Sequence, residues 1–183
     1  LIGHGECIMG LTDSYPKQYG FITEDLLRTV EEASNRWRWR LHDKAGRLSQ
    51  VHGDFHPYNV LFRAGTDFSV LDRSRGEWGE PADDVTAMTI NYLLTSLIRW
   101  GKLRGPFEVL FRLFWDTYIE ASGDKGVTGT AAPFFAFRGL VVASPVWYPN
   151  LTIDVRRSLF RFIENVLDVP RFEPERVNDY CGI

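Results

Sequence analysis

The sequence predicts an α+β fold that is predominantly helical, with one short β-hairpin as its main sheet element. Three observations carry this reading. Two apolar runs, 59–63 and 68–72, are separated by Ala-Gly-Thr-Asp, a glycine-containing connection of hairpin type. From Pro81 onward, apolar residues recur at helical spacing between Gly and Pro punctuation. Ahead of the hairpin, Thr23 is placed as an N-cap, and Glu24 and Asp25 suit the positive end of a helix.

Taken in order, residues 1–20 are rich in Gly, Ser and Pro without periodicity and read as an irregular lead-in, followed by one lobe over 21–183. A helix is expected over 23–48. Its Trp37 and Trp39 lie two apart and cannot share a helical face, so one of them must meet another element or solvent. In the hairpin, pairing Arg63 with Phe68 sets Leu61 opposite Val70 and Asn59 opposite Asp72. Directly opposed residues of an antiparallel pair have Cα atoms roughly 4.5–5.5 Å apart and share a face. The hairpin would then deliver a carboxamide oxygen and a carboxylate side by side, a place for a shared cation.

After Pro81, Asp83 or Asp84 is expected to cap a helix carrying Val85, Met88, Tyr92 and Leu93, ended by Gly101. Pro106 opens the next helix, with Leu110, Leu113, Phe114 and Tyr118 as its buried stripe up to Gly123. Residues 123–130 read as a flexible loop, and a helix from 131 should bend or end near Pro145. A last helix, 152–168, turns Leu159, Phe160, Ile163, Val166 and Leu167 inward, and the tail after Pro170 reads as irregular.

The chain has 183 residues, 44% hydrophobic and 25% charged, the composition of an ordinary globular domain. A net charge of −3 gives no support for nucleic-acid binding. No apolar run approaches the ~20 residues of a membrane helix, and LIGHGECIMG has no secretory pattern, so the expected setting is cytoplasmic, away from membranes. Cys7 and Cys181 read there as reduced thiols. The sequence does not begin with Met, as expected of a piece of a longer protein.

The chemistry concentrates in residues 51–72, VHGDFHPYNVLFRAGTDFSVLD. His52, Asp54 and Asn59 stand in the order H-x-D-x-x-x-x-N, and Asp72 closes the second apolar run. This is the spacing of a phosphoryl-transfer loop, in which one Asp orients the attacking hydroxyl while an Asn and a later Asp hold Mg²⁺ on the nucleotide phosphates. Mg²⁺ takes oxygen ligands and commonly only one or two from protein, which Asn59 and Asp72 could supply. An Asp in such a turn otherwise bonds its own backbone, the ordinary use of a loop aspartate. His52 reads as a loop support, His56 as a neighbour of the phosphates or a further support, and Asp83 and Asp84 as caps or anchors. Trp78 is either a packing anchor or a border of the cleft.

His52-Gly53-Asp54 through Asn59, then Leu71-Asp72 and Gly79-Glu80-Pro81-Ala82-Asp83-Asp84, resembles the C-terminal lobe of the aminoglycoside phosphotransferase and choline kinase family, whose fold is protein-kinase-like. The motifs cover residues 51–85. The resemblance implies ATP- and Mg²⁺-dependent phosphoryl transfer to a hydroxyl of a small molecule such as an aminoglycoside, a choline-like alcohol or a sugar. It implies Asp54 as the catalytic aspartate, Asn59 and Asp72 as Mg²⁺ ligands, and Asp83 or Asp84 as the tie between the following helix and the catalytic loop.

Two departures stand out. Arg73-Ser74-Arg75 follows Asp72 where such kinases more often place an aromatic and an acid, bringing cations that could contact phosphate or pair with Asp54 or Asp72. No glycine-rich phosphate loop or strand lysine of the nucleotide-binding lobe is legible. The chain is therefore expected to be a catalytic lobe that needs its N-terminal lobe as partner and is inactive alone. Two alternatives remain: a kinase-like lobe kept as a non-catalytic binding module, and a metal-dependent phosphoesterase suggested by Gly53-Asp54-Phe55-His56. The second would need further metal ligands, and no histidine follows His56. For the acceptor, Glu77, Glu80, Glu164, Asp168 and Glu173 could line a cleft for a cationic molecule, and aromatic residues, 14% of the chain, could add cation–π contacts.

Overall fold

The structure is a computed structural model and describes residues 3–73 and 78–183, with side chains from Ile8 onward. Among the described residues it is predominantly helical, with seven α-helices and three two-stranded antiparallel sheets. The centre is α5 (Ala131–Ala143), AAPFFAFRGLVVA. A helix apolar on every side must be surrounded. It packs on α6 (Ile153–Asp168), α3 (Ala82–Trp100), α1 (Gly3–Asp13) and α2 (Glu24–Leu41). Gly139 permits the close approach of α6, since a Cβ there would fall 2.7 Å from Ile163 Cγ1. On α6, Leu159, Phe160, Ile163, Val166 and Leu167 are all buried, as their spacing predicts.

The N-terminal stretch corrects the expected irregular lead-in. Residues from Gly3 form α1, with Ile8 and Leu11 buried one turn apart. Contacts with α5 supply the stability that a glycine-containing segment lacks by propensity. Its end is tied down where Tyr15 donates from Oη to the Leu140 carbonyl at 2.5 Å.

Helix α2 starts where predicted, Thr23 Oγ1 accepting from the Leu26 amide at 3.2 Å, but ends at Leu41 rather than near 48. Beyond it, Arg47 is drawn to Glu80 and Asp124, and the chain passes through a 3-10 turn, Ala45–Arg47, into β3 (Ser49–Gln50). The two tryptophans separate as required. Trp37 is 2% exposed and donates to the Leu167 carbonyl at 2.8 Å, whereas Trp39 is 64% exposed.

Strands β1 (Gln18–Tyr19) and β2 (Ile22–Thr23) pair ahead of α2, and β3 pairs with β6 (Trp78–Gly79). The hairpin is β4 (Val60–Phe62) with β5 (Phe68–Val70), and its register differs from the expected one by a residue. Val60 faces Val70, Leu61 faces Ser69 and Phe62 faces Phe68. Arg63 is set against Asp67, not Phe68, through an amide bond of 2.9 Å to the Asp67 carbonyl and an Nε–Oδ2 contact of 3.0 Å. Only Ala64, Gly65 and Thr66 are left in the turn, where Gly65 holds φ +59°. A one-residue slip reverses the faces, so Asn59 stands opposite Leu71, whose amide bonds its carbonyl at 2.8 Å.

Helix α3 begins at Ala82 with no side-chain cap, so Asp83 and Asp84 are first-turn residues and not caps. Their carboxylates turn to the site instead. Gly101 ends the helix at φ +70°, as expected. On α4 (Gly105–Ser122) the expected stripe is rotated: Phe111 and Trp115 are buried, while Leu110 and Leu113 are exposed. Trp115 belongs to an aromatic cluster with Phe135 and Phe172, the last two 4.7 Å apart. That cluster also corrects the two segments read as loose. Residues 123–130 hold a 3-10 turn, Val127–Gly129, with Val127 buried and Asp124 bonded to Arg47. The tail brings buried Phe172 and forms α7 (Val177–Tyr180), fixed where the Asn178 side chain bonds the Leu103 amide and carbonyl.

Candidate functional site

The loop between β3 and β4 is pinned from below by α3. Asp84 accepts from the His52 amide at 2.7 Å and from the Gly53 amide at 2.9 Å. Burial raises the Asp84 carboxyl above its ordinary range, and those two amides oppose the shift. Gly53 holds φ +81°, a left-handed conformation that favours glycine. The His52 ring crosses the loop, Nδ1 accepting from the Asp54 amide at 3.2 Å and Nε2 facing the Leu71 carbonyl at 2.7 Å. This pattern fits the tautomer protonated on Nε2 and joins the loop to the end of the hairpin.

Arg138, from the middle of α5, is the hub of the site. Its Nη1 donates to Asp54 Oδ1 at 2.7 Å, its Nη2 to the Gly53 carbonyl at 2.9 Å, and Nε and Nη2 both to Asp83 Oδ1, at 3.1 and 2.8 Å. The guanidinium also lies over the Phe137 ring. A planar fork suits this task, because it fixes the direction of each carboxylate. On its other side, Asp54 Oδ2 is 3.8 Å from His56 Nε2.

Asn59 closes a 3-10 turn, Pro57–Asn59, and its Nδ2 donates to the Asp54 carbonyl at 3.0 Å. The amide nitrogen is thereby used inside the loop, and Oδ1 is left as the acceptor end. Asp72 lies beyond the paired part of β5 with φ +55°, the only non-glycine residue at positive φ among the described residues. Such strain is a pointer to function and not proof of it. The register removes the cross-strand argument for a shared cation, because ladder pairing no longer sets Asn59 and Asp72 on one face. What remains is donor chemistry. A carboxamide oxygen and an exposed carboxylate, both hard oxygen donors, flank the loop, which fits Mg²⁺. Among the described residues, no group of three or more His, Cys, Asp and Glu is placed to hold a metal ion. Arg73 donates to the Val51 carbonyl at 3.3 Å, and Ser74, Arg75 and Glu77 lie outside the described residues.

Asp54, His56 and Arg138 line a cleft of about 440 Å³. Its apolar floor comes from Leu11, Ala87, Ile90, Val141 and Val142, and its aromatic wall from Tyr58, Phe137, Trp147 and Tyr148. Asn91 enters from α3, its Nδ2 bonded to the Ala87 carbonyl at 2.8 Å. The Tyr148 phenol is raised above its ordinary range by burial and then by the nearby Tyr58 phenol. Arg156, fully buried on α6, holds the segment carrying Trp147 and Tyr148: it donates to the Ala143 carbonyl at 2.5 Å and to the Tyr148 carbonyl.

Of the acids expected to line a cleft, Glu77 lies outside the described residues and the other four do not reach this one. Glu80 is buried, bonded to Arg47 and to Thr130 Oγ1. Glu164, Asp168 and Glu173 are exposed on α6 and the tail and do not line it. Exposed Trp78 does not border the cleft either. The structure thus gathers His52, Asp54, His56, Asn59, Asp83 and Asp84, with Asp72 one residue past the carbonyl that His52 contacts. Sequence reasoning missed Arg138, Asn91, Trp147, Tyr148 and Arg156. For Arg138 a signal existed: it is the lone charge in an otherwise apolar helix, and a buried guanidinium requires carboxylates nearby. Comparison of the chain with protein-family models, with curated proteins and with solved structures finds no match.

Proposed function

We propose that the chain is the catalytic lobe of a small-molecule phosphotransferase of the aminoglycoside phosphotransferase and choline kinase type, with a protein-kinase-like fold. The observation that carries the reading is the placement of Asp54. Its carboxylate faces a cleft of small-molecule size, its backbone is held through His52 and Gly53 by Asp84, and its side chain is held by Arg138. An acceptor alcohol in the cleft would donate its O–H to Asp54. The alcohol oxygen then bonds the γ-phosphorus of ATP as the bond to the β–γ bridging oxygen breaks. That electron pair leaves with ADP, and the hydroxyl proton passes to Asp54. Mg²⁺, held by Asn59 and Asp72, would neutralise charge on the phosphates, with His56 near them. Arg138 fixes the carboxylate, so that orientation is set before substrate arrives.

The test is acceptor-dependent release of ADP by the product of the complete reading frame, with the N-terminal lobe the resemblance implies. Asp54→Ala should lower turnover by about 10²-fold or more, the range of a lost acid–base group, and Asp72→Ala should lower it by removing a Mg²⁺ ligand. Undiminished turnover in Asp72→Ala refutes the metal assignment, and full activity in Asp54→Ala refutes the mechanism. A non-catalytic binding module is the second reading, favoured by the contact between Arg138 and Asp54, which occupies one carboxylate oxygen. Failure of that product to bind Mg·ATP would establish it.

A further inference from the structure

The cleft at Asp54 has a chemical character that the resemblance does not set. Among the described residues Asp54 is the one carboxylate that lines it, and the Arg138 guanidinium, also in the lining, lies 2.7 Å from it. Arg138 also bonds Asp83, which does not line the cleft, so the described cluster is one guanidinium with two carboxylates and offers little to a molecule with several ammonium groups. Recognition of such a molecule needs several acids, and among the described residues Glu80 lies in the buried Arg47 network and Glu164, Asp168 and Glu173 do not line the cleft. What the cleft does offer is apolar and aromatic surface. Trp147 is 48% exposed and Tyr58 stands at the opening, so both present surface to an incoming molecule. Tyr148 lines the same cleft. Asn91 supplies a neutral contact: its Nδ2 is used by the Ala87 carbonyl, which turns its Oδ1 to the role of acceptor.

We propose that the acceptor is an uncharged alcohol with a flat or apolar body, seated between Tyr58, Trp147 and Tyr148 with its hydroxyl at Asp54 and a second polar group at Asn91. This rests on the phosphotransfer reading for the word acceptor, but the ligand preference of the cleft is measurable without nucleotide. A neutral occupant binds through area and stacking, so its affinity is nearly independent of ionic strength. Polycation binding falls steeply with salt.

The experiment uses the 183-residue chain, with phenyl glucoside as the neutral flat-bodied probe and kanamycin as the polycationic one, followed by calorimetry at low and high salt. Phenyl glucoside should bind, without salt dependence, and Trp147→Ala should weaken it by about tenfold, the worth of one aromatic stack. Because Trp147 is half exposed, that variant should keep the far-ultraviolet circular dichroism of the parent. Asn91→Ala gives a second, smaller loss. Tighter binding of kanamycin, affinity that falls with salt, no binding of phenyl glucoside, or equal binding by Trp147→Ala overturns the proposal. A parallel phosphorylation assay on the complete gene product separates the two readings. Transfer confined to amino sugars sinks the proposed acceptor and leaves the phosphotransferase. Trp147-dependent binding with no transfer to any alcohol sinks the phosphotransferase and leaves the ligand preference.

Discussion

Replacing Arg138 with Met should cost this chain a large part of its stability. Methionine keeps a stem that can pack on Phe137 but removes the guanidinium. Two carboxylates then lose this guanidinium in a nearly dry site, where side-chain exposures are 8% for Arg138, 15% for Asp54 and 9% for Asp83. The Gly53 carbonyl loses its donor as well. Breaking a buried pair from one side costs about 3–5 kcal/mol, because the partner charge is left uncompensated. That is a substantial fraction of the ~5–15 kcal/mol that holds a native domain together. The assay is urea unfolding followed by circular dichroism, with the midpoint and slope read separately. A second variant isolates the cause. Removing the stranded charge in Arg138→Met/Asp83→Asn should recover at least ~1 kcal/mol of the loss, a non-additivity expected only for groups in contact. A loss below about 1 kcal/mol for Arg138→Met, the worth of a surface pair, would refute the reasoning. So would strict additivity in the double variant.

Further outcomes follow from the same structure. Asp124 is held below the ordinary carboxylate range by Arg47, so its contribution is complete above the unfolded value and is lost as pH falls through the lower folded one. Asp124→Asn should therefore flatten the acid limb of the stability profile below about pH 4, as read by urea midpoints. Asp84 has the opposite sign: its folded carboxyl is raised by burial, so its contribution weakens as pH rises between the unfolded and folded values, and Asp84→Asn should remove that slope. Gly139→Ala should destabilise by about 1–3 kcal/mol despite the better helix propensity of Ala, because the new methyl meets Ile163, and Ile163→Val should recover part of the loss. Asp72→Gly should raise stability by up to about 1 kcal/mol by relieving the left-handed backbone, as read by urea midpoints. Burial pushes the Cys181 thiol up to about 12, so peptide-mapped alkylation of Cys181 should be negligible until urea unfolds the chain.

How much was legible in advance follows the range of the forces involved. Thr23, Gly101, Pro106 and Gly123 fixed helix ends correctly because caps and left-handed stops act within a few residues. The inward face of α6 was legible because its apolar residues leave one consistent stripe. The face of α4 was not, since Leu110, Phe111, Leu113, Phe114 and Trp115 offer two overlapping stripes. Phe172, arriving from the tail, selects the one containing Trp115. The hairpin was legible as a hairpin, but its register turned on the Arg63–Asp67 contact, a choice of one residue that neither apolar run resolves.

For the site, the spacing of His52, Asp54 and Asn59 is a property of one loop, and the sequence by itself determined that these groups share it. The sequence also determined the small-residue turn at Gly53 and the acidic pair that opens α3. Only the tertiary structure decided what surrounds them. Asp84 reaches back across the intervening hairpin to the His52 and Gly53 amides, and Arg138 arrives from a helix more than eighty positions away in sequence. Trp147 and Tyr148 form the wall because Arg156 ties down their segment. Such contacts depend on which buried charge finds which partner once water is excluded. That depends on three-dimensional packing, which residue spacing alone does not encode.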